Sequence, residues 1–170
     1  MEKKTNFIEN IVSDIRDFFG TRKGINMERK KDRTTPDFIT SLEDNEIFVF
    51  GSNLAGFHGG GAARIAHNKF GAIWGQGVGL QGQSYAIPTM QGGVETVRPY
   101  VDEFISFAKQ HPELTFLVTR IGCGIAGFTD EDIAPLFKEA LAIENIVLPA
   151  TFIDVLNHSR DSDDAEVLDL

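Results

Sequence analysis

Short apolar runs and segments of helical spacing alternate along the chain and predict an α/β protein. A continuous apolar run rich in strand formers is typical of a strand that is buried on both faces. Such runs cover residues 47–50, 84–89, 114–122 and 145–156, the last as a closing strand. Apolar residues spaced three and four apart predict helices over residues 62–70, 95–110 and 131–141. Because the strands alternate with helices, we expect a mixed, mostly parallel sheet.

The two ends of the chain differ from this central pattern. Residues 1–20 carry apolar side chains at helical spacing and predict an amphipathic helix. Residues 21–36 are polar and largely basic, which predicts a linker or, alternatively, an arm that touches nucleic acid or a partner. The α/β domain is expected over residues 37–156, and an acidic tail over residues 157–170. The first helix has no core of its own, so it either folds back or forms a homo-oligomer.

Composition and charge exclude several classes of protein. A hydrophobic content of 42% with 14 Phe indicates a globular chain. The single Cys allows no intrachain disulfide and favours a reducing, cytoplasmic compartment. Neither a signal peptide nor an apolar run of about 18 residues is present, so no membrane segment is expected. The net charge of −9 argues against a large nucleic-acid footprint. The four His show no metal-ligand spacing, and neither a metal nor a cofactor is expected.

Three glycine-rich stretches lie beside predicted strand ends. They are GSNLAGFHGGG (51–61), GQGVGLQGQ (75–83) and GCGIAGF (122–128). In open α/β sheets, ligands bind outside the carboxyl ends of the strands. Glycine allows backbone N–H groups to approach an anion, and a helix that begins near Ala62 would add its positive end. The pattern favours a phosphate or nucleotide site; the alternative is that the glycines only form turns with positive φ.

Two of these stretches carry a resemblance to a known family. N-x-x-G-x-x-G-G-G after one strand and I-G-x-G-I-x-G-F after a later one resemble the macrodomain family, over about Glu46 to Pro149. The resemblance implies a three-layer α/β fold that binds ADP-ribose, and some members of the family hydrolyse ADP-ribosyl bonds. With GLQGQSYAIPT (79–89), the arrangement also resembles small phage-associated proteins that have no established activity.

The resemblance implies a set of ligand-binding residues. These are Gly51, Ser52, Asn53, Gly59, Gly60, Gly61, Gly122, Cys123, Gly124, Ile125, Ala126, Gly127 and Phe128. Asn53 matches the asparagine that ends the family's first signature, and residues 59–61 match the glycine loop near the distal ribose. Residues 122–127 match the diphosphate loop, and Phe128 matches the aromatic residue beside the distal ribose. The family has an aspartate that helps to hold the adenine, and the nearest aspartate upstream of the first strand is Asp44.

Asn53 and His58 are the candidate catalytic residues. Hydrolysis of an ADP-ribosyl bond needs an oriented water and stabilisation of charge as the bond opens. Asn53 could orient that water, or it could form a turn beside Gly51. The imidazole of His58 suits acid–base work, and the alternative is a histidine on a surface loop. Many hydrolases of the family have an aspartate after the glycine run, where this chain has Ala62 and Ala63.

Three further sites have two interpretations each. Cys123 is either an exposed nucleophile or a small buried side chain. Thr129 and Asp132 fit a capping box, whereas Asp130 and Asp132 could instead face a ribose. Trp74 and Tyr85 either line the pocket or belong to the core.

Three hypotheses on function follow from these observations. The first is a protein that binds a small nucleotide ligand, ADP-ribose or a relative, with hydrolysis of an ADP-ribosyl bond as its possible reaction. The second is a binding module without turnover, which sequesters or senses a nucleotide, as the missing aspartate suggests. The third is a structural or assembly protein, phage-associated by resemblance, in which the glycines serve packing.

Overall fold

The computed structural model describes residues 33–167, with side chains as far as residue 162. In that part of the chain, five strands form one sheet, accompanied by four α-helices and two 3-10 helices. The strands are β1 (Glu46–Ser52), β2 (Gly79–Gln81), β3 (Ser84–Pro88), β4 (Thr115–Val118) and β5 (Ile146–Val147). The α-helices are α1 (Gly61–Lys69), α2 (Arg98–Gln110), α3 (Asp130–Ile133) and α4 (Ala150–Val167). The 3-10 helices are Val94–Thr96 and Ala134–Ala142.

The sheet is mixed and mostly parallel, as the sequence predicts. Its order is β2-β3-β1-β4-β5, and β2 and β3 form its antiparallel pair. The central strand β1 runs parallel to both of its neighbours, with Val49 opposite Tyr85 on one side and Val118 on the other. The carboxyl ends of β1, β3 and β4 therefore lie at the same edge of the sheet, where ligands bind in open α/β folds.

Strand β1 is buried on both faces, which explains its unbroken apolar sequence. Ile47 and Val49 belong to the larger apolar cluster, which includes residues of α2 and α4. Phe48 and Phe50 point to the opposite face and pack with Ala66 of α1 in a second cluster. Successive side chains of a strand alternate between its faces, so a strand covered on both faces carries apolar residues at every position.

The predicted closing strand over residues 145–156 is wrong beyond its first residues. Strand β5 contains two residues, and residues 150–156 lie in α4. Phe152 and Leu156 are four residues apart, so a helix brings both to one side, and both are buried in the larger cluster. A short apolar run does not by itself distinguish a strand from a buried helix. Helix α4 continues to Val167, past residue 157, where the acidic tail was expected to begin.

Two other predicted elements are shorter or more irregular than expected. The strand predicted over residues 114–122 ends at Val118. The chain turns just beyond it, where the Ile121 amide donates to the carbonyl oxygen of Thr119 at 2.7 Å. The helix predicted over residues 131–141 is α3 followed by a 3-10 helix. Pro135 lies at their junction, and its missing N–H group prevents the α-helical bond at that position.

The described domain begins slightly before the predicted boundary at residue 37. The Thr35 amide donates to the carbonyl oxygen of Leu148 at 2.9 Å, and its hydroxyl donates to the carbonyl oxygen of Val147. Thr35 thus adds a bridge beside β5. The amphipathic helix predicted over residues 1–20, with its oligomer, lies outside the described residues, as does most of the linker. Among the helices that the structure describes, none is both long and apolar enough to cross a membrane.

Candidate functional site

A cleft of about 210 Å³ opens at the carboxyl ends of β1, β3 and β4. The segments that follow these three strands form its walls. Most of the predicted ligand-binding residues line it: Gly51, Ser52, Asn53, Gly60, Gly61, Gly122, Gly124, Ile125 and Ala126. Gly59, Cys123, Gly127 and Phe128 are not among its lining residues. The structure therefore brings together the first and third glycine-rich stretches, which are some 60 residues apart in the chain.

The close approach of these two stretches depends on the absence of side chains. A Cβ atom added to Gly60 would lie 3.0 Å from Cδ1 of Ile125, which extends across from the opposite loop. A Cβ atom on Gly51 would lie 3.3 Å from the amide nitrogen of Gly122. Both distances are shorter than an ordinary van der Waals contact. Glycine at these two positions keeps the cleft open between loops that nearly touch.

Helix α1 begins inside the cleft. Its backbone hydrogen bonds start with the Arg64 amide, which donates to the carbonyl oxygen of Gly60 at 3.1 Å. The amides of Gly61, Ala62 and Ala63 precede that bond and have no acceptor within the helix. No acidic side chain stands in this first turn. The positive end of α1 therefore faces the cleft, an arrangement that suits an anion.

The opposite wall, residues 119–126, is a loop folded on its own backbone. The Phe128 amide donates to the carbonyl oxygen of Gly122 at 2.9 Å, and the Gly127 amide donates to that of Gly124 at 3.0 Å. Gly122 has φ +73°, and a Cβ there would lie 3.1 Å from side-chain atoms of both Phe128 and Ile133. Phe128 thus packs behind the loop, where it supports the wall rather than lining the cleft.

Arg120 lines the cleft and was missed by the sequence analysis. Its guanidinium binds Asp130 with two hydrogen bonds, from Nε to Oδ1 at 3.0 Å and from Nη2 to Oδ2 at 2.7 Å. These bonds use two of its five N–H donors. The hydrogen bond from Arg120 lowers the pKa of Asp130 and raises the pKa of Arg120. A cation just after a strand, as in TRIG, is the signal that could have found it.

Cys123 contacts the same ion pair. Its Sγ donates to Oδ1 of Asp130 at 3.6 Å. Burial, followed by the charge of Asp130, raises the pKa of the Cys123 thiol to about 12. A nucleophilic cysteine needs its thiolate form near neutral pH, so this environment opposes the nucleophile interpretation. The predicted capping box is confirmed: the Asp132 amide donates to Oγ1 of Thr129, and the Thr129 amide donates to Oδ2 of Asp132.

The two candidate catalytic residues lie in different surroundings. Asn53 lines the cleft, but its side-chain amide closes a turn with the backbone of Phe57. His58 is 1% exposed, so the alternative of a surface histidine is wrong. Its Nε2 lies 3.0 Å from the carbonyl oxygen of Ile73 and 3.1 Å from that of Gln76. The structure does not bring His58 to the lining of the cleft; it places the imidazole under the loop.

The second glycine-rich stretch supports the first from behind. A Cβ on Gly77 would lie 2.1 Å from the carbonyl oxygen of Asn53, so the two backbones touch there. The Ser52 hydroxyl donates to the carbonyl oxygen of Gly77, and the Gly75 amide donates to that of Gly56 at 2.9 Å. Residues 75–77 therefore fix the loop that follows β1, and the glycine at position 77 allows this close packing.

A wider groove of about 460 Å³ adjoins the cleft. It shares Gly61, Ala62, Thr119 and Arg120 with the cleft. Its far side is the segment 35–40, in which the Phe38 side chain is 89% exposed. The acid of this segment is Asp37, and the candidate acid Asp44 is not among the lining residues. Asp37, the first residue of the expected α/β domain, was not among the predicted site residues, because no motif in the sequence marks it.

Tyr85 and Trp74, the two remaining aromatic candidates, differ in burial. Tyr85 is in the core, with its ring centre 5.1 Å from that of Phe104, and burial raises its pKa to about 12. Trp74 is on the surface, stacked on Phe57 of the cleft wall.

Comparison of the chain with protein-family models, with curated proteins and with solved structures gives no significant match. The resemblance to macrodomains therefore remains a prediction from the two glycine motifs. Within residues 33–167, no cluster of three or more His, Cys, Asp or Glu side chains is arranged to hold a metal ion. The site has to be interpreted from its own geometry.

Proposed function

We propose that the cleft binds ADP-ribose or a related nucleotide diphosphate, with the diphosphate between residues 60–63 and residues 122–126. The observation that carries the proposal is the meeting of two glycine-rich loops, from the neighbouring parallel strands β1 and β4, across one cleft. Backbone amides held at glycines bind phosphate oxygens without a side chain between them. The positive end of α1 adds favourable charge on one side.

Arg120 supplies the cationic group of the site. Its guanidinium keeps three N–H donors beyond the two that bind Asp130. The pairing with Asp130 fixes the guanidinium plane at the cleft rim before a ligand arrives. A fixed planar donor suits phosphate oxygens, which accept paired hydrogen bonds.

The adjoining groove has the chemistry for the base of the nucleotide. The Phe38 ring is exposed and can stack on a planar base, and the Asp37 carboxylate can accept hydrogen bonds from an exocyclic amine. Phe48 and Ile65 contribute apolar lining. Because groove and cleft share the first turn of α1, one nucleotide diphosphate could occupy both.

A macrodomain-like, three-layer arrangement belongs to the same proposal. The apolar clusters on the two faces of the sheet support it, one containing residues of α1 and the other residues of α2 and α4. The resemblance that suggested the fold also suggested hydrolysis of ADP-ribosyl bonds in some members of the family.

The described lining of the cleft favours binding without turnover. Arg120 is the only ionisable side chain among these lining residues. The side-chain amide of Asn53 is hydrogen-bonded to the backbone of Phe57. Ala62 and Ala63 provide no carboxylate at the start of α1. General acid–base catalysis needs a titratable group within hydrogen-bond reach of the reacting atoms. A module that sequesters or senses the nucleotide therefore fits the described cleft better than a hydrolase.

Thermal unfolding with a ligand panel tests the proposal. The full chain is melted with ADP-ribose, ADP, AMP and ribose 5-phosphate. A ligand present at a hundred times its dissociation constant stabilises by about 2.7 kcal/mol, which raises Tm by several degrees. We expect the largest shift with ADP-ribose and none with ribose 5-phosphate alone. The absence of a shift with every compound would overturn the proposal, and release of a product from an ADP-ribosylated substrate would overturn the preference for binding alone.

A further inference from the structure

An exposed pair of aromatic rings stands at the edge of the cleft. The rings of Phe57 and Trp74 are stacked, with centres 5.7 Å apart and planes inclined by 25°. Their side chains are 60% and 53% exposed. Even stacked on each other, the two rings leave much apolar surface in water, which is unfavourable unless a ligand covers it. We name this pair the aromatic platform.

Hydrogen bonds to the backbone hold the two loops that carry the aromatic platform. The Asn53 side chain bonds to both backbone polar groups of Phe57: its Nδ2 donates to the carbonyl oxygen, and its Oδ1 accepts from the amide. The loop that carries Trp74 is fixed by His58, whose buried Nε2 lies within hydrogen-bond distance of the Ile73 and Gln76 carbonyl oxygens. His58 also contacts the Trp74 ring edge-on, with centres 6.4 Å apart. The platform is thus formed before binding, which lowers the entropy loss that a ligand must offset.

The position of the platform indicates which part of a ligand it meets. Phe57 lines the cleft but is not among the residues that line the groove. The groove meets the cleft at Gly61, Ala62 and Arg120. A nucleotide whose base lies in the groove and whose diphosphate lies at the glycine loops would therefore direct its second ribose toward Phe57.

We propose that the aromatic platform binds a planar ring carried on that second ribose, so that the preferred ligands are dinucleotides rather than ADP-ribose itself. This inference rests on the proposed function, because it assumes that the diphosphate lies in the cleft. The ring is a nicotinamide or a nucleobase, since both are flat and stack on aromatic side chains. A cationic nicotinamide would add a cation–π attraction.

Calorimetric titration of the full chain with three compounds tests the inference. ADP-ribose carries no ring on its second ribose, whereas NAD⁺ carries a nicotinamide there and diadenosine diphosphate carries an adenine. Stacking of one base contributes enough that at least one dinucleotide should bind about 5- to 100-fold more tightly than ADP-ribose. NAD⁺ alone as the tighter ligand identifies nicotinamide as the ring, and diadenosine diphosphate alone identifies a nucleobase.

The Trp74→Ala variant should abolish the advantage of the dinucleotide, and Trp74→Phe should keep most of it. Leu80→Ala removes a comparably exposed apolar side chain on β2, outside the cleft, and should keep the whole advantage. Trp74 is the only Trp of the chain, so its fluorescence reports directly on the platform. The emission should change with the preferred dinucleotide and stay unchanged with ADP-ribose.

The outcomes separate this inference from the proposed function. If ADP-ribose binds and neither dinucleotide binds more tightly, the inference is overturned and the proposed function stands. The same holds if Trp74→Ala weakens all three ligands equally, because the ring then supports the loop instead of a ligand. If no compound binds, both are overturned.

Discussion

The side chain of Ile125 reaches across the cleft to Gly60. A Cβ atom added to Gly60 would lie only 3.0 Å from Cδ1 of Ile125. Ile125 is 73% exposed and is held on a loop after β4, whereas Gly60 precedes the helix after β1. The two walls of the cleft approach each other closely at this pair, so a larger side chain at position 60 would narrow the space between them.

Substitution of Gly60 by Val should block the cleft with little effect on the fold. The backbone of Gly60 is extended, with φ −145° and ψ 167°, so a β-branched residue is tolerated there. Ile125 is exposed and can move, so we expect the free energy of unfolding to change by less than about 1 kcal/mol. The affinity for ADP-ribose should fall at least about tenfold, or about 1.4 kcal/mol.

Two further variants check the cause of that loss. Gly59→Ala adds a Cβ whose nearest neighbour is Trp74 at 4.0 Å, outside the cleft lining, and it should leave the affinity unchanged. Ile125→Ala in the Gly60→Val background should recover part of the affinity, because residues in contact have non-additive effects. Titration calorimetry and urea unfolding measure the two quantities. Equal affinities for Gly60→Val and the wild type would show that the ligand does not lie between these loops.

Gly77→Ala should destabilise the domain by about 2 to 3 kcal/mol, because overpacking against rigid backbone is not relieved by side-chain motion. The new Cβ would lie 2.1 Å from the carbonyl oxygen of Asn53 and 2.7 Å from that of Leu54. Gly124→Ala is the matched control, since a Cβ there meets nothing within 4 Å. Urea unfolding should separate the two variants clearly. Similar stabilities would mean that residues 75–77 do not pack against the loop after β1.

The Cys123 thiol should react slowly with iodoacetamide. Its pKa is raised to about 12, first by burial and then by the charge of Asp130, from an ordinary value of 9.0. The thiolate is the reactive form, so at pH 8 the native protein should react at least about a hundredfold more slowly than the unfolded chain. Asp130→Asn removes the like charge and should raise the rate. If the native and unfolded proteins reacted with iodoacetamide at rates within a factor of a few, the Cys123 thiol would not have the raised pKa described above.

The Arg120–Asp130 pair should stabilise the domain at neutral pH and lose that effect in acid. The pKa of Asp130 is lowered in the folded state, chiefly by the hydrogen bond from Arg120, from an ordinary value of 3.8. A group with a lowered pKa contributes stability above its ordinary pKa, and that contribution is lost as the pH falls through the folded value. The Arg120 side chain is half exposed, so Arg120→Gln should lower the stability at pH 7 by only about 0.5 to 1 kcal/mol.

The difference between Arg120→Gln and the wild type should shrink as the pH is lowered below 4. Lys109→Gln removes one positive charge from the exposed pair with Glu139 and controls for the change in net charge. Urea unfolding over a series of pH values gives both curves. A difference that stays constant from pH 7 to strongly acidic pH would show that the Asp130 carboxylate does not depend on Arg120.

Features that depend on local rules could be predicted from the sequence. The run of residues 47–50 is apolar at every position because β1 is covered on both faces, and this property is visible in the sequence. The capping box of Thr129 and Asp132 needs only four residues. The glycine motifs also located most of the cleft lining, because they follow the two strands whose carboxyl ends are adjacent.

Features that depend on distant segments could not be predicted. Asp37 reaches the groove because Thr35 bonds to the backbone beside β5, more than a hundred residues away. His58 is buried because residues 73–76 fold over it, and no local spacing signals that contact. The helix over residues 150–156 was not predicted for a different reason. So short an apolar run is compatible with a strand or a helix, and tertiary packing decides which of the two forms.

The most direct test of the account is a calorimetric titration of the full chain with ADP-ribose, repeated with Gly60→Val. We expect saturable binding to one site in the wild type and at least about a tenfold lower affinity in the variant. Absence of binding to the wild type, or undiminished binding to Gly60→Val at wild-type stability, would contradict the claim that the two glycine loops hold a nucleotide diphosphate.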